Sequence, residues 1–245
     1  MFLFYRLLLA HLLADFPLQF TQLFRLKVSS RWGTAFHGGI FTLLALILAF
    51  PYLAHNSMWV FILLLGISHI LIDETKLSLI RKFKVDNLWL FLLDQGLHIG
   101  LIGLLAATSL GRLVLTWPLY NFPSLLTQVY NDPQSKVIIY IIAYFVATFG
   151  GTFLIYYFKK TFFVRRLEEV IISQPEKYFG ILERFLIISL VIFPGHFYFF
   201  IPVVLITRSI ACARQKHLGT WIDFLASTIL AIIIGLVLRI WIITW

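Results

Sequence analysis

Hydrophobic runs of about twenty residues alternate along this chain with short charged or proline-containing segments. Coiled as α-helices, runs of that length span the hydrocarbon core of a bilayer. The pattern therefore predicts an all-α, polytopic transmembrane bundle of about eight helices. Their predicted limits are 2–16, 35–54, 58–77, 87–107, 137–158, 179–194, 195–213 and 219–243.

The distribution of basic residues predicts the orientation of these helices. Lys and Arg follow the first, third and fifth runs, whereas the segments after the second and fourth are nearly neutral. Basic connections face the cytoplasm, so the odd-numbered connections are predicted there. Residues 179–213 fit either one span or a hairpin broken at Pro194 and Gly195. A hairpin returns Arg208 and Arg214 to the cytoplasmic side, so we predict the hairpin.

The same pattern divides the chain into three regions. They are a four-helix core (1–107), a loop with a short interfacial helix (108–136) and a C-terminal membrane domain (137–245). In the last region, a basic amphipathic helix at about 159–172 is predicted to lie on the inner leaflet. Residues 25–31 are predicted to form a basic loop. A second loop is expected at 173–178, around Pro175.

Composition agrees with a membrane protein and explains the positive charge. The chain is 60% hydrophobic and 13% charged, with a mean hydropathy of +0.92. Its net charge of +9 lies mostly between the apolar runs, as expected of loops facing anionic lipid. We therefore predict membrane lipid and no nucleic acid as a partner, and a multi-pass protein of the bacterial inner membrane. The single cysteine, Cys212, excludes an intramolecular disulfide.

Polar residues with a repeated spacing interrupt the first four helices. A histidine and an aspartate stand four residues apart three times, and His37 begins the second run. Residues four apart share one helix face. The predicted topology places all of them in the cytoplasmic half of the bilayer, so we expect one cluster. Its members are His11, Asp15, His37, His69, Asp73, Asp94 and His98.

Ionisable residues inside a bilayer need a partner, a cavity or a metal. Mixed imidazole and carboxylate ligands suit zinc first, then manganese or iron, and a bound ion activates water as a nucleophile. Two other interpretations stay open: hydrogen-bonded pairs that hold the helices together, and a path for metal ions or protons. Of these, we favour a divalent-metal site.

The favoured functional hypothesis is metal-dependent hydrolysis of a lipid-like or phosphorylated amphiphile at the cytoplasmic side. Asp15 or Asp94 would be the general base, and Lys76, one turn beyond Asp73, would orient the anionic substrate. Competing hypotheses are a metal-ion or proton transporter that uses the same residues, and a non-catalytic scaffold or assembly factor. A second polar group, Glu183 and Arg184 with Arg208, is predicted to form an ion pair that fixes the hairpin or to bind an anionic headgroup.

Several stretches resemble a bacterial family of integral membrane proteins that is known only as a domain of unknown function. The similar stretches are His11–Gln19, His69–Asp73 with Lys76, Asp94–His98, Gly180–Arg184, Arg208–Ser209 and Ala226–Thr228. Members similar to this chain have a second histidine one turn beyond His37, where this chain has Phe41; this difference weighs against a full two-metal site. The resemblance implies no activity.

Overall fold

The computed structural model describes residues 2–19, 21–54, 56–108, 136–163, 174–215 and 218–244. Within these ranges the chain is almost entirely helical and has no strand. It divides into two compact units, Met1–Ile142 and Ala143–Trp245. The prediction of an all-α bundle is confirmed, while the predicted limits of the three regions stay predictions.

The helices alternate with short connections. In chain order they are α1 (Phe2–Asp15), α2 (Thr21–Ser29), α3 (Arg31–Leu48), α4 (Asn56–Phe83), α5 (Leu88–Ala106), α6 (Lys136–Phe145), α7 (Gly151–Phe162), α8 (Gln174–Ile192), α9 (Ile201–Gln215) and α10 (Leu218–Thr244). A π-helical turn, Val146–Gly150, joins α6 to α7. Two side-chain caps fix helix starts: Ser30 accepts from the amide of Gly33, and Asn87 accepts from that of Leu90.

Each of the eight predicted spans contains a helix, and among the described residues six helical segments are long and apolar enough to cross a membrane. Those six are Arg31–Leu48, Ser57–Phe83, Leu88–Ala106, Val137–Phe162, Phe197–Arg214 and Gly219–Trp241. The other two predicted spans correspond to α1 and α8. The 14 residues of α1 extend only about 21 Å, and α8 contains both Glu183 and Arg184. The chain is thus an all-α membrane protein by the length and composition of its helices.

The predicted break at Pro194 is confirmed. Helix α8 ends at Ile192, and a 3₁₀ turn, Phe197–Phe200, leads into α9. Gly195 has a φ of +93°, a backbone conformation that glycine adopts without a steric penalty. The chain therefore turns here and does not continue as one long span.

Two predicted loops are helical instead. Residues 25–31 were expected to be a basic loop, but α2 covers Thr21–Ser29 and α3 starts at Arg31. The predicted loop at 173–178 is wrong from Gln174 onward, because Pro175 lies in the first turn of α8, where a missing N–H costs no hydrogen bond. The predicted interfacial helix within 108–136, and the part of the amphipathic helix beyond 163, lie outside the described residues.

Close packing of small residues brings α3 against α4 in the first unit. A Cβ on Gly38 would collide with Ile70, and one on Gly66 would collide with Thr42. Small residues let helix backbones approach each other in membranes. An apolar core of α1, α3, α4 and α5 residues, which includes Leu7, fills one end of this unit. The polar residues lie next to that core, towards the other end.

Candidate metal centre

The structure brings all seven predicted ligands together in one buried group, which we call the His/Asp cluster. Its members are His11, Asp15, His37, His69, Asp73, Asp94 and His98. None is more than 6% exposed. They come from α1, α3, α4 and α5, so residues separated by almost ninety positions meet in one layer of the first unit.

Two carboxylate oxygens of this cluster each lie close to the same two imidazole nitrogens. Asp15 Oδ1 is 3.1 Å from His37 Nε2 and 3.4 Å from His69 Nε2. Asp73 Oδ2 is 3.6 Å from His37 Nε2 and 3.5 Å from His69 Nε2. A tetrahedral zinc ion with bonds near 2.1 Å has ligand atoms about 3.4 Å apart. Asp15, His37 and His69 form one set of ligand atoms that all lie within 4.8 Å of one another, and Asp73 Oδ2 adds a carboxylate oxygen within 3.6 Å of both imidazoles.

A second part of the cluster adjoins this group. His98 Nε2 is 3.7 Å from Asp94 Oδ1 and 3.8 Å from Asp73 Oδ1. The ring of His98 is centred 4.2 Å from that of His69 and 4.8 Å from that of His11. Ligand atoms also converge within 4.8 Å in the sets His11–His69–His98 and Asp15–Asp94–His98.

Several buried polar atoms of the cluster have no hydrogen-bond partner among the described residues. They are His37 Nδ1, His69 Nε2, Asp73 Oδ2, Asp94 Oδ1, His98 Nε2 and both ring nitrogens of His11. Buried polar groups are nearly always satisfied, because an unsatisfied one costs about 1–3 kcal/mol. This concentration of unsatisfied atoms around one point is the strongest structural sign that the cluster accommodates a ligand.

Lys27 is a candidate site residue that the sequence analysis did not include. Its Nζ lies 2.8 Å from Asp73 Oδ1 and donates to Gln19 Oε1 at 3.2 Å. Although Lys27 was assigned to a basic loop, it is 7% exposed and reaches the cluster from α2. No spacing or hydropathy signal in the polar stretch around Lys27 indicates this burial.

Lys76 and Gln95 complete the surroundings of the carboxylates. Lys76 Nζ lies 2.8 Å from Asp94 Oδ2. Gln95 donates to Asp15 Oδ2 at 3.0 Å and to Asp94 Oδ2 at 3.2 Å. With neutral imidazoles, three carboxylates and two ammonium groups leave one net negative charge. That charge favours one divalent cation over two, because a second ion would leave a large positive charge in a low-dielectric layer.

Phe41 occupies the position one turn beyond His37. Its ring stacks on His69, with centroids 4.5 Å apart and planes 12° from parallel. The aromatic ring therefore packs against one side of His69 and offers no ligand atom there. This contact agrees with a single ion.

An apolar groove between α4 and α5 leads to the edge of the cluster. Its volume is about 180 Å³, and its polar residues are Thr75, Lys76 and Asp94. The remaining lining residues are Leu71, Ile72, Leu79, Leu90, Leu93 and Leu97. Leu71 is 61% exposed and Leu93 is 55% exposed. In a membrane protein such side chains face hydrocarbon, so the groove opens towards an apolar environment.

The second unit contains the other polar group that the sequence predicted. Arg208 donates to Glu183 Oε2 at 2.6 Å, so α8 and α9 are joined by an ion pair. Arg184 is also buried but donates to Ser227 and Thr148. The three predicted anion-binding residues are therefore neighbours, with Glu183 engaged by Arg208.

One family profile, described as "Protein of unknown function (DUF3307)", matches residues 3–126, just over half of the 245-residue chain. The chain belongs to the DUF3307 family. The DUF3307 match includes every residue of the His/Asp cluster and also Lys27 and Lys76, whereas Glu183, Arg184 and Arg208 lie beyond it. No curated protein and no solved structure matches the chain. The resemblance to an uncharacterised family is thus confirmed, and it brings no activity with it.

Proposed function

We propose that the chain is a membrane-embedded, divalent-metal-dependent hydrolase of a lipid-like or phosphorylated amphiphile. The observation that carries this proposal is the set of four His–Asp distances around Asp15 and Asp73, all between 3.1 and 3.6 Å. Zinc is the first choice of ion for two imidazoles and two carboxylates, with manganese or iron as alternatives. A bound ion of this kind supplies Lewis-acid activation of water and of the scissile group.

The residues around the ion divide naturally between binding and proton transfer. Asp15 contacts three imidazoles, which favours a ligand role over that of a free base. Asp94 lines the groove, and its Oδ1 has no hydrogen-bond partner among the described residues. Asp94 is therefore the better general base. Lys76, beside it, would bind the anionic group of a substrate whose chain lies in the apolar groove.

The packing around the cluster favours catalysis over transport. A relay of imidazoles exists, since the rings of His11, His98, His69 and His37 follow one another at 4.8, 4.2 and 5.2 Å. Beyond His11, however, the imidazoles give way to the buried apolar core, which includes Leu7 and Leu3. A path across the membrane would need polar positions there. Asp94 is the one cluster member that lines the groove between α4 and α5, and an approach of substrate from that side supports catalysis.

Metal content tests the first half of the proposal. Protein purified in detergent is expected to bind about one equivalent of zinc, manganese or iron, measured by elemental analysis after dialysis. The His69→Ala variant should lose it, because His69 contributes to two of the convergent ligand sets. His196→Ala is the matched control, since His196 is exposed in the turn before α9. Wild-type protein that stays metal-free after supplementation would refute the metal site.

Turnover tests the second half. A panel of lipid phosphates and acyl esters is presented to the protein in mixed micelles. We expect the protein to release phosphate or fatty acid from at least one of them. A chelator should stop this release, and adding back the metal should restore it. Asp94→Asn should lower the rate by about 10²–10⁴-fold, the usual contribution of a general base. Glu74→Gln is the control, because Glu74 lies on the same helix as Lys76 but pairs with Arg81 at the surface. A metal-loaded protein that cleaves nothing in the panel would contradict hydrolysis and leave the metal site standing.

A further inference from the structure

A small cavity in the second unit is lined by an excess of positive charge. Its volume is about 40 Å³. The lining residues are Thr152, Ile155, Tyr156, Lys177, Gly180, Arg184, Arg208 and Asp223. Three of them are cationic and one is anionic, although the cavity lies among apolar helices.

Two of the four positive charges near this cavity are neutralised within the protein. Arg208 donates to Glu183, and Lys159 lies 2.5 Å from Asp223 Oδ2. Arg184 and Lys177 form no salt bridge with a carboxylate of the described residues. Arg184 is 3% exposed, and Lys177 lies over the ring of Phe153.

Arg184 is held in place by uncharged groups. Its Nη1 donates to Ser227 Oγ at 2.9 Å, and its Nη2 donates to the Thr148 carbonyl oxygen at 2.7 Å and to Thr152 Oγ1. Its Nε is buried and has no hydrogen-bond partner in the described part of the chain. Burying a guanidinium is costly when its hydrogen-bond acceptors among the described residues are all uncharged, because its desolvation is then offset only by more distant carboxylates.

We propose that this cavity binds a phosphate oxyanion through Arg184, Arg208 and Lys177. Guanidinium groups match the geometry of phosphate oxygens, and charge-assisted hydrogen bonds to them are strong. A volume of 40 Å³ corresponds to roughly three water-sized positions, which is the number of free oxygens on a phosphomonoester. This site lies outside the His/Asp cluster and does not depend on the proposed hydrolysis.

Gly180 leaves the space that the oxyanion would occupy. A Cβ at this position would lie 3.3 Å from Arg184 Nη1 and 3.3 Å from Arg208 Nη1. The two guanidinium groups therefore approach one point from two helices, with only a glycine beside it. Any larger residue would place a methyl group where both cations converge.

The cavity lies near helix ends, at a depth that a lipid headgroup reaches. Gly180 is six residues from the start of α8, and Asp223 is five residues from the start of α10. Lys159 is three residues from the end of α7, and Arg208 is seven residues from the end of α9. At 1.5 Å per residue, each lies within about 11 Å of a helix end. Both a phospholipid headgroup and free phosphate have the chemistry that this site requires.

Ligand-induced stabilisation of the full chain tests the free-phosphate source. Purified protein is heated with potassium phosphate or with potassium chloride at equal ionic strength, and the apparent dissociation constant is taken from the rise in Tm. Lys177→Gln and Gly180→Ala should each weaken phosphate binding by about tenfold, the effect of losing one charge-assisted contact. Lys82→Gln and Gly100→Ala are the controls, because Lys82 is exposed and a Cβ on Gly100 meets nothing within 4 Å.

Native mass spectrometry tests the lipid source, with phosphatidic acid compared against diacylglycerol. If the protein retains phosphatidic acid but not diacylglycerol, and retains less of it in Lys177→Gln and Gly180→Ala, the site binds a lipid headgroup. Stabilisation by phosphate without lipid retention would assign it to the free anion. The proposal is wrong if neither probe binds, if chloride raises the Tm as much as phosphate does, or if both variants bind the probes as tightly as the wild type. The variants retain Arg184, whose hydrogen bonds support the fold, so a folding defect is not expected to obscure the result.

Discussion

Lys27 shows how one side chain changes the electrostatics of the whole His/Asp cluster. Without it, Asp73 would be a buried carboxylate among three imidazoles, with no ammonium group beside its Oδ1. With it, the ammonium lies 2.8 Å from that oxygen and leaves Oδ2 directed at His37 and His69. Lys27 therefore engages one oxygen of Asp73 and leaves the other facing the imidazoles.

Replacing Lys27 by alanine should destabilise the protein strongly. Removing one partner of a buried ion pair leaves the other charge uncompensated and typically costs about 3–5 kcal/mol. The expected result is a clear fall in Tm for Lys27→Ala in detergent. Arg25→Ala is the matched control, because Arg25 lies on the same helix and is exposed. Equal Tm values for the two variants would show that the contact with Asp73 contributes nothing to stability.

The sequence predicted the members of the cluster but not Lys27, for a physical reason. Each His–Asp pair is a local signal, since two residues four apart share a helix face. Their common depth follows from the positive-inside rule. The contact between Lys27 and Asp73 joins residues 46 positions apart through a nine-residue helix in a polar stretch. Neither spacing nor hydropathy indicates such a contact, so the basic residues were assigned to a loop.

At the scale of elements, the approach of α2 to α3 decides whether Lys27 reaches the cluster. A Cβ on Gly33 would collide with the backbone of Leu26 and Lys27. The glycine thus allows α2 to fold back against the start of α3. Thr34 adds a hydrogen bond across α3 and α4, donating to Glu74 Oε2 at 3.2 Å.

Gly33→Ala should therefore separate α2 from α3. The new methyl group would meet backbone atoms of α2, which cannot rotate away as a side chain can. The two helices must therefore move apart, which we expect to lower the free energy of unfolding by about 1–3 kcal/mol. We expect a lower Tm and a weaker metal affinity, because Lys27 would leave Asp73. Gly39→Ala is the control on the same helix, since a Cβ there meets nothing within 4 Å. A Gly33→Ala protein with unchanged Tm and metal affinity would contradict this role of the α2–α3 contact.

At the scale of the whole molecule, the polar and apolar ends of the first unit differ sharply. The His/Asp cluster lies towards the ends of α1 and α2, near the helix starts of α3 and α5, whereas an apolar core that includes Phe61 and Ile102 fills the opposite end. Composition and hydropathy determine that these helices cross a membrane. They do not determine which face of the bilayer the cluster approaches, and only the distribution of Lys and Arg addresses that point.

The charge distribution predicts that the cluster end faces the cytoplasm, and labelling of single cysteines tests this. The natural Cys212 is buried and is first replaced by alanine. Lys82→Cys then marks the exposed end of α4 beside the cluster, and Ala54→Cys marks the exposed turn before α4 at the opposite end. In intact cells, a membrane-impermeant maleimide should label Ala54→Cys and leave Lys82→Cys unmodified until the cells are permeabilised. The reverse pattern would mean that the cluster opens away from the cytoplasm, so its substrate would have to come from the outer side. Because labelling reports only the orientation of the helices, neither result decides whether the cluster binds a metal or the groove binds a substrate; metal analysis and turnover assays decide those points.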